Sequence, residues 1–252
     1  MAVRLNGNAA NYLTRSSSVI NPNNNYSYCF WGYLISDQNN YSVFVSLGES
    51  GGNNHDGIAT DADGTTLRMF VNTIGGNGVN GSALTVGVWY HIGVVRSSAT
   101  SCVVYLNGVL DITHTNDVTS RSWTALVNRV GVQSNDTFPL NGRVAALKMW
   151  DTNLTEAEIQ QEMRQFLPFR TNNLHTWTPF TDTSTGTDFL DYSGNARNWT
   201  EAGSVTSEDG PPIPWRQGRK KYFIPLDGAA VPSIDLVFTE DSNKRSVLTR
   251  GW

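Results

Sequence analysis

The sequence predicts an all-β protein: an antiparallel β-sandwich with one short helix and a C-terminal arm. Only 16% of the 252 residues are charged, and the chain is rich in Asn, Ser, Thr and Gly, with 23 Gly. This composition is typical of many short strands joined by tight turns. Short segments that alternate apolar and polar residues also recur at the spacing expected of a sandwich. The length suits a single sandwich domain.

The predicted strands are rich in aromatic and β-branched residues, and several alternate with period two. In chain order they are Ser27–Leu34, Tyr41–Leu47, Thr66–Val71, Trp89–Val95, Cys102–Leu106, Val109–Ile112, Arg143–Trp150 and Leu174–Trp177. Because Trp31, Trp89 and Trp150 fall inside these strands, we predict that they are packing residues.

A hairpin is predicted at Asn107-Gly108, between Val103–Leu106 and Val109–Ile112. A type I′ turn needs positive φ at both central residues, and Asn-Gly meets that need best. A second pair, Asn141-Gly142, is expected to introduce the strand Arg143–Trp150.

One helix is predicted from Thr155, because Thr155-Glu-Ala-Glu158 forms a capping box. Ile159, Met163 and Phe166 mark its apolar face, and Pro168 ends it. We expect this helix to cover one edge or end of the sandwich.

The composition changes at Asp209, so we divide the chain into a sandwich, 1–208, and an arm, 209–252. We expect the arm to anchor the protein to a partner, although a solvated linker is the commoner explanation for such a basic run. The predicted partner-binding residues are Trp215, Arg216, Arg219, Lys220, Lys221, Tyr222 and Phe223.

The charge balance bears on the class of partner. A net charge of −4 argues against nucleic-acid binding, which favours a basic face. No apolar run is long enough to span a membrane, so no membrane partner is expected. The N-terminal residues do not resemble a signal peptide, so we expect synthesis in a cytoplasm without export by the ordinary signal. Two cysteines, Cys29 and Cys102, are either free buried thiols or a disulfide.

No catalytic residues are predicted. Glycosidases need paired carboxylates, and Glu156, Glu158 and Glu162 are instead explained by the helix. No cofactor is expected, with calcium as the one candidate. Asp56, Asp61 and Asp63 stand in a Gly-bearing segment that could supply oxygen ligands. A hairpin turn is the favoured alternative for these residues, and also for the similar set Asp188, Asp191 and Asn195.

Three aromatic side chains near polar residues are candidates for sugar stacking: Tyr41, Trp123 and Trp199. For each of them, a place in the core or at a sheet edge is the alternative.

Three segments together resemble the laminin-G-like branch of the concanavalin-A-like lectins. They are Trp89–Asp111 with its Tyr-x-Asn-Gly hairpin, Leu140–Ile159, and the turn Asp191-Tyr-Ser-Gly-Asn195. The resemblance covers roughly 2–207 and implies a jelly-roll sandwich that binds glycans or proteins, often with calcium.

Relatives without a signal peptide and with an extra tail resemble proteins carried by tailed phages. The resemblance therefore implies a non-catalytic virion-surface protein, of the capsid decoration or fibre type, that assembles with virion proteins or with copies of itself. The alternative is a carbohydrate-binding adhesion module that recognises cell-surface glycans, with or without calcium.

Overall fold

The computed structural model describes residues 1–50, 54–72, 74, 77–115, 125–180 and 189–213. By internal contacts the chain divides into two units, Met1–Trp215 and Arg216–Trp252. The architecture below is that of the first unit. The predicted partner-binding residues, from Trp215 to Phe223, lie outside the described residues.

Fifteen strands and one helix make up the described structure. The strands are β1 (Ala2–Asn6), β2 (Tyr12–Arg15), β3 (Tyr26–Leu34), β4 (Val43–Glu49), β5 (His55–Thr60), β6 (Thr66–Asn72), β7 (Gly78–Ala83), β8 (Trp89–Ser98), β9 (Ser101–Leu106), β10 (Val109–His114), β11 (Leu126–Val130), β12 (Asn141–Trp150), β13 (Leu174–Thr178), β14 (Thr200–Ala202) and β15 (Thr206–Glu208). The helix α1 spans Glu156–Met163.

The strands form two antiparallel sheets that pack as a sandwich, which confirms the predicted fold class. The eight-stranded sheet has the order β10-β9-β8-β3-β12-β1-β15, and β13 also pairs with β12. The seven-stranded sheet has the order β14-β2-β11-β4-β5-β6-β7. Strands that are neighbours in a sheet, such as β3 and β12, can be far apart in the sequence. The sandwich therefore depends on long-range strand pairing.

The core lies between the sheets and follows the alternation of side chains along each strand. On β3, Tyr26, Tyr28 and Phe30 point inward and are fully buried. Their rings stack in series, with centroids 6.0 Å and 6.2 Å apart. The intervening side chains of β3 therefore face outward, and this alternation positions the candidate site.

The hairpin prediction is confirmed at Asn107 and Gly108, which have φ values of 51° and 79° and connect β9 to β10. The second Asn-Gly prediction is wrong in its detail. Asn141 and Gly142 pair with Asn6 and Leu5 of β1, so they begin β12 and do not precede it.

The predicted capping box is also confirmed: the Glu158 amide donates to Thr155 Oγ1, and the Thr155 amide donates to Glu158 Oε2. Phe166 lies beyond α1, where its ring contacts Trp177. The helix packs on the outward face of the eight-stranded sheet, against Cys29 and Trp150. No helix among the described residues is long and apolar enough to cross a membrane.

The predicted strands did not include β5, β7, β11, β14 or β15. The β5 sequence, HDGIAT, was assigned to a polar loop, but all six residues are buried. Gly57 of β5 lies opposite Phe70 of β6, so the missing side chain makes room for a ring. Both cysteines are free and buried.

Candidate functional site

The outward face of the eight-stranded sheet is divided in two. The α1 helix covers the part formed by Cys29, Gly93 and Val95. The helix sits so close that a Cβ on Gly93 would lie 2.7 Å from Ile159 Cγ2. Beyond the helix, the same face carries large side chains that are only half-buried.

Three aromatic rings form this open part, and we call Trp31, Tyr33 and Trp89 the aromatic platform. Tyr33 lies directly opposite Trp89 on β8, and Trp31 lies opposite His91. The ring centroids are 5.1 Å apart in the first pair and 5.4 Å in the second. All three platform rings are half-buried. Packed cross-strand rings are held rigidly, so the platform is a preformed, partly apolar surface.

Two arginines continue the platform across the sheet, and we call Arg4 and Arg143 the arginine pair. Arg143 lies opposite Tyr33 on β12, and Arg4 lies opposite Arg143 on β1. The Arg143 guanidinium carbon is 4.8 Å from the centroid of the Tyr33 ring. A single carboxylate contacts both arginines: Glu208 Oε2 is 2.5 Å from Arg143 Nη2, and Glu208 Oε1 is 3.6 Å from Arg4 Nε.

His91 lies on β8 between the platform and the part of the sheet that the helix covers. Its side chain is buried, and burial, with the charge of Lys148 as a second cause, lowers the pKa of His91 to about 3. The imidazole is therefore neutral at pH 7. Its Nδ1 atom has no hydrogen-bond partner among the described residues.

The predicted sugar-stacking residue Trp199 does not face solvent, so that prediction is wrong. Its side chain is fully buried, and its indole nitrogen donates to Thr178 Oγ1 at 3.1 Å. The Arg15 guanidinium lies 4.8 Å from the centroid of its ring. A ring enclosed in this way belongs to the core.

Tyr41 remains a candidate, but it lies apart from the platform. It is half-buried and packs beside the seven-stranded sheet, with its ring 5.2 Å from that of Phe138. Trp123 lies outside the described residues.

The three aspartates of the predicted calcium site are engaged separately. Asp56 lies on β5 and pairs with Arg96 at 3.0 Å inside the sandwich. Asp61 pairs with Arg68 at 3.4 Å. Asp63 accepts from the Thr65 and Thr66 amides, 2.9 Å and 2.8 Å away. A turn was the favoured alternative to a calcium site, and residues 61–64 do form a turn.

In the second predicted calcium set, Asp188 lies outside the described residues. Asp191 Oδ1 accepts from the amides of Trp177 and Ser193 at 2.9 Å. Asn195 Nδ2 donates to the Leu174 carbonyl at 2.8 Å, so this set also builds a turn. Within the described ranges, no three His, Cys, Asp or Glu side chains are grouped to hold a metal ion.

A groove of about 340 Å³ lies near the start of α1, lined by Glu158, Phe169, Arg170, Thr171 and Asn172. It presents one aromatic ring, whereas the platform presents three in register. The groove is therefore the weaker candidate, and it serves below as the rival site.

The platform was missed in the sequence because Trp31 and Trp89 were assigned to packing. That assignment is right for Trp150, which is fully buried. It is wrong for Trp31 and Trp89, because their rings are only half-buried. The available signal was alternation: Trp31 and Tyr33 are two residues apart, as are Trp89 and His91. Each pair therefore lies on one face, but pairing between the two strands had to be known.

Comparison with known proteins agrees with this architecture. Residues 6–160 match a laminin-G-type family model described as the concanavalin A-like lectin/glucanases superfamily. The chain belongs to this superfamily. No curated protein matches the sequence at a significant level.

Solved structures of the superfamily fold resemble this member at low sequence identity. A protein of Bacteroides ovatus whose proposed role is carbohydrate binding is 15% identical, with a TM-score of 0.59 over 84% of this chain and 61% of its own. This superfamily member thus spans about three-fifths of that protein. A heptameric SAP-like pentraxin of Limulus polyphemus is 16% identical, with a TM-score of 0.55 over 81% of this chain and 92% of its own. At these identities the likeness shows the fold alone.

Proposed function

We propose that this superfamily member binds carbohydrate through the aromatic platform and catalyses no reaction on it. The observation that carries the proposal is the side-by-side presentation of Trp31, Tyr33 and Trp89 on an open sheet face. The carbohydrate-binding role proposed for the Bacteroides ovatus protein of the same fold adds support.

The chemistry of sugars fits such a surface. One face of a pyranose ring carries mainly C–H groups and stacks on aromatic rings, while its hydroxyls need hydrogen-bond partners at the rim. Arg143 is half-buried and lies beside the platform, opposite Tyr33. Its guanidinium supplies polar N–H groups next to the rings.

The absence of catalysis is part of the proposal. A glycosidase needs two carboxyl groups that flank the scissile bond. Glu208, at the platform, is held between the arginine pair. Glu162 is paired with Lys148, and Glu158 with Arg170. These ion pairs are typical of structural carboxylates.

The test is a glycan array probed with the full chain, followed by titration calorimetry on the best hit. Trp89→Ala and Tyr33→Ala should each weaken binding about tenfold or more, since about 1.4 kcal/mol corresponds to a factor of ten. Tyr192→Ala is the matched control, because Tyr192 is an exposed aromatic residue, at 45%, that is not part of the platform. Binding that survived both platform substitutions but failed in Phe169→Ala would place the site in the groove and overturn the proposal.

We also propose that binding needs no calcium, because Asp56, Asp61 and Asp63 each have separate partners. The affinity should be the same in 2 mM EDTA as in about 2 mM CaCl₂, a concentration at which a weak extracellular-type site would fill. If binding required calcium, this proposal would be wrong, and the three aspartates would again be the candidate ligands.

A virion-surface role, with anchoring of the protein to virion proteins or to its own copies by the arm, is a second proposal that rests on the sequence of 209–252. The structure sharpens its test. Glu208 ends β15 and contacts the arginine pair, and Ile213 is buried, so a cut after Ser207 would damage the sandwich. Removal of 214–252 should leave a folded protein that no longer assembles, as measured by light scattering. Assembly unchanged by the cut would refute the anchoring role.

A further inference from the structure

We infer that the ligand of the platform is an acidic saccharide, whose negative group pairs with Arg143 while a neighbouring sugar ring stacks on Trp89. This inference rests on the proposed function and deepens it by naming the class of glycan.

The first step concerns charge. Arg4 and Arg143 lie directly opposite each other on β1 and β12, and like charges in that relation repel. Glu208 is the carboxylate that contacts both of them, so this local group of three side chains has a net charge of about +1 at pH 7. Desolvation by burial lowers the pKa of Arg4; the Glu208 charge opposes this shift, and the Arg143 charge adds to it. An anionic ligand would relieve the remaining repulsion.

The second step concerns hydrogen bonds. Arg4 Nη1, Arg143 Nε and Glu208 Oε2 are each shielded from solvent and make no hydrogen bond among the described residues, so the three side chains are imperfectly paired with one another. The contacts with Glu208 therefore do not use the full donor capacity of the two guanidinium groups. The Arg143 side chain is 24% exposed and that of Arg4 is 18% exposed, so part of each remains open to a ligand.

The third step concerns distance and orientation. Arg143 is fixed by its contact with the Tyr33 ring and by Glu208. A planar guanidinium held in place matches a carboxylate or a sulfate with two parallel hydrogen bonds. Trp89 and Arg143 lie on β8 and β12, with β3 between them, so their strands are about 10 Å apart. This separation exceeds the width of one sugar ring, which places the acidic group on the sugar next to the stacked one.

Carboxylated and sulfated saccharides share this chemistry, and affinity electrophoresis of the full chain in polysaccharide gels separates them. Polygalacturonate and its fully methyl-esterified form are a pair that differs in the carboxylate, and carrageenan and chemically desulfated carrageenan are a pair that differs in the sulfate. Hyaluronan and chondroitin sulfate extend the series to other backbones. We expect retardation by acidic polymers and at least tenfold weaker retention by the neutral member of the pair.

Variants make the test specific. Arg143→Gln should weaken binding to the acidic polymer about tenfold, whereas Glu208→Gln should strengthen it, because it frees a cation. Arg170→Gln should leave binding unchanged, although Arg170 is 27% exposed and is likewise paired with a glutamate, at 2.9 Å. Arg170 lines the rival groove, so weaker binding in this variant and not in Arg143→Gln would overturn the inference. Unchanged melting temperatures would show that the variants fold.

Equal retention by acidic and neutral members of each pair, or retention unchanged in Arg143→Gln, would overturn the inference. If only neutral glycans bind, and Trp89→Ala abolishes that binding, the proposed function stands and the acidic class falls. If no glycan of either class binds, both fall.

Discussion

Lys148 Nζ lies 2.7 Å from Glu162 Oε2, and both side chains are almost completely buried, at 1% and 0% exposed. Lys148 also donates to the carbonyl of Gln165, 2.8 Å away, and Glu162 Oε1 accepts from the amides of Phe169 and Arg170. This network of an ion pair and hydrogen bonds links α1 and the segment after it to the sheet. The sequence predicted an apolar packing face for the helix, and the structure adds this buried ion pair to the same inner surface.

We therefore expect Lys148→Met to lower the free energy of unfolding by about 3–5 kcal/mol, because it leaves the Glu162 carboxylate buried without its cation. The double variant Lys148→Met, Glu162→Leu should recover most of that loss, since no unpaired charge remains. Urea denaturation gives both values. A loss below about 1 kcal/mol in the single variant, as is usual for exposed pairs, would contradict the prediction.

The Asp56–Arg96 ion pair joins the two sheets through the core, with both side chains at most 1% exposed and 3.0 Å between Oδ2 and Nη2. Asp56→Asn should lower the unfolding free energy by about 3 kcal/mol or more, because the Arg96 cation stays buried without its counter-charge. A double-mutant cycle with Arg96→Met should give a coupling energy of at least about 1 kcal/mol. Purely additive losses would show that the two groups do not interact.

The stability of the protein should fall on acidification partly because of His91. Burial lowers its pKa to about 3 in the folded state, whereas an unfolded chain has a His pKa near 6.5. Between these values the unfolded state binds the extra proton, so the contribution present above pH 6.5 is lost as pH falls towards 3, by up to about 1.4 kcal/mol per pH unit.

The comparison variant is His91→Phe, which keeps a ring beside Trp31. From pH 7 to pH 5, the natural protein should lose up to about 2 kcal/mol more stability than this variant, as measured by urea denaturation at each pH. Equal losses in the two proteins would mean that His91 does not remain neutral in the fold.

The turn at Asn107-Gly108 offers a test of backbone strain. Gly108 has a φ of +79°, and a Cβ there would lie 3.0 Å from Gln160 Cγ on α1. Gly108→Ala should destabilise the protein by about 1–2 kcal/mol from the left-handed conformation alone, plus a further loss from crowding the helix. Gly194→Ala is the control, because its φ is +90° but nothing lies within 4 Å of the added Cβ. A smaller loss at Gly108 than at Gly194 would contradict this account.

Much of the fold could be predicted because its signals are local. The turn at Asn107-Gly108 and the capping box at Thr155 depend on residues next to each other in the chain, and both are confirmed. The strand β5 was missed because its buried residues include His55 and Asp56. Such polar side chains predict a loop unless their partners, here Ser134 and Arg96, are known.

The candidate site also could not be predicted without knowing which residues are partners in the fold. The sequence by itself determined that Trp31 and Tyr33 share one face of a strand and that Trp89 and His91 share one face of another, because side chains alternate along a strand. Only the tertiary structure decided that these faces join Arg4, Arg143 and Glu208, which are far apart in the sequence. The physical reason is that inward and outward faces of a strand are assigned by the partner sheet that buries one of them. That burial is a property of the whole fold, and it left three rings and two arginines on the open side.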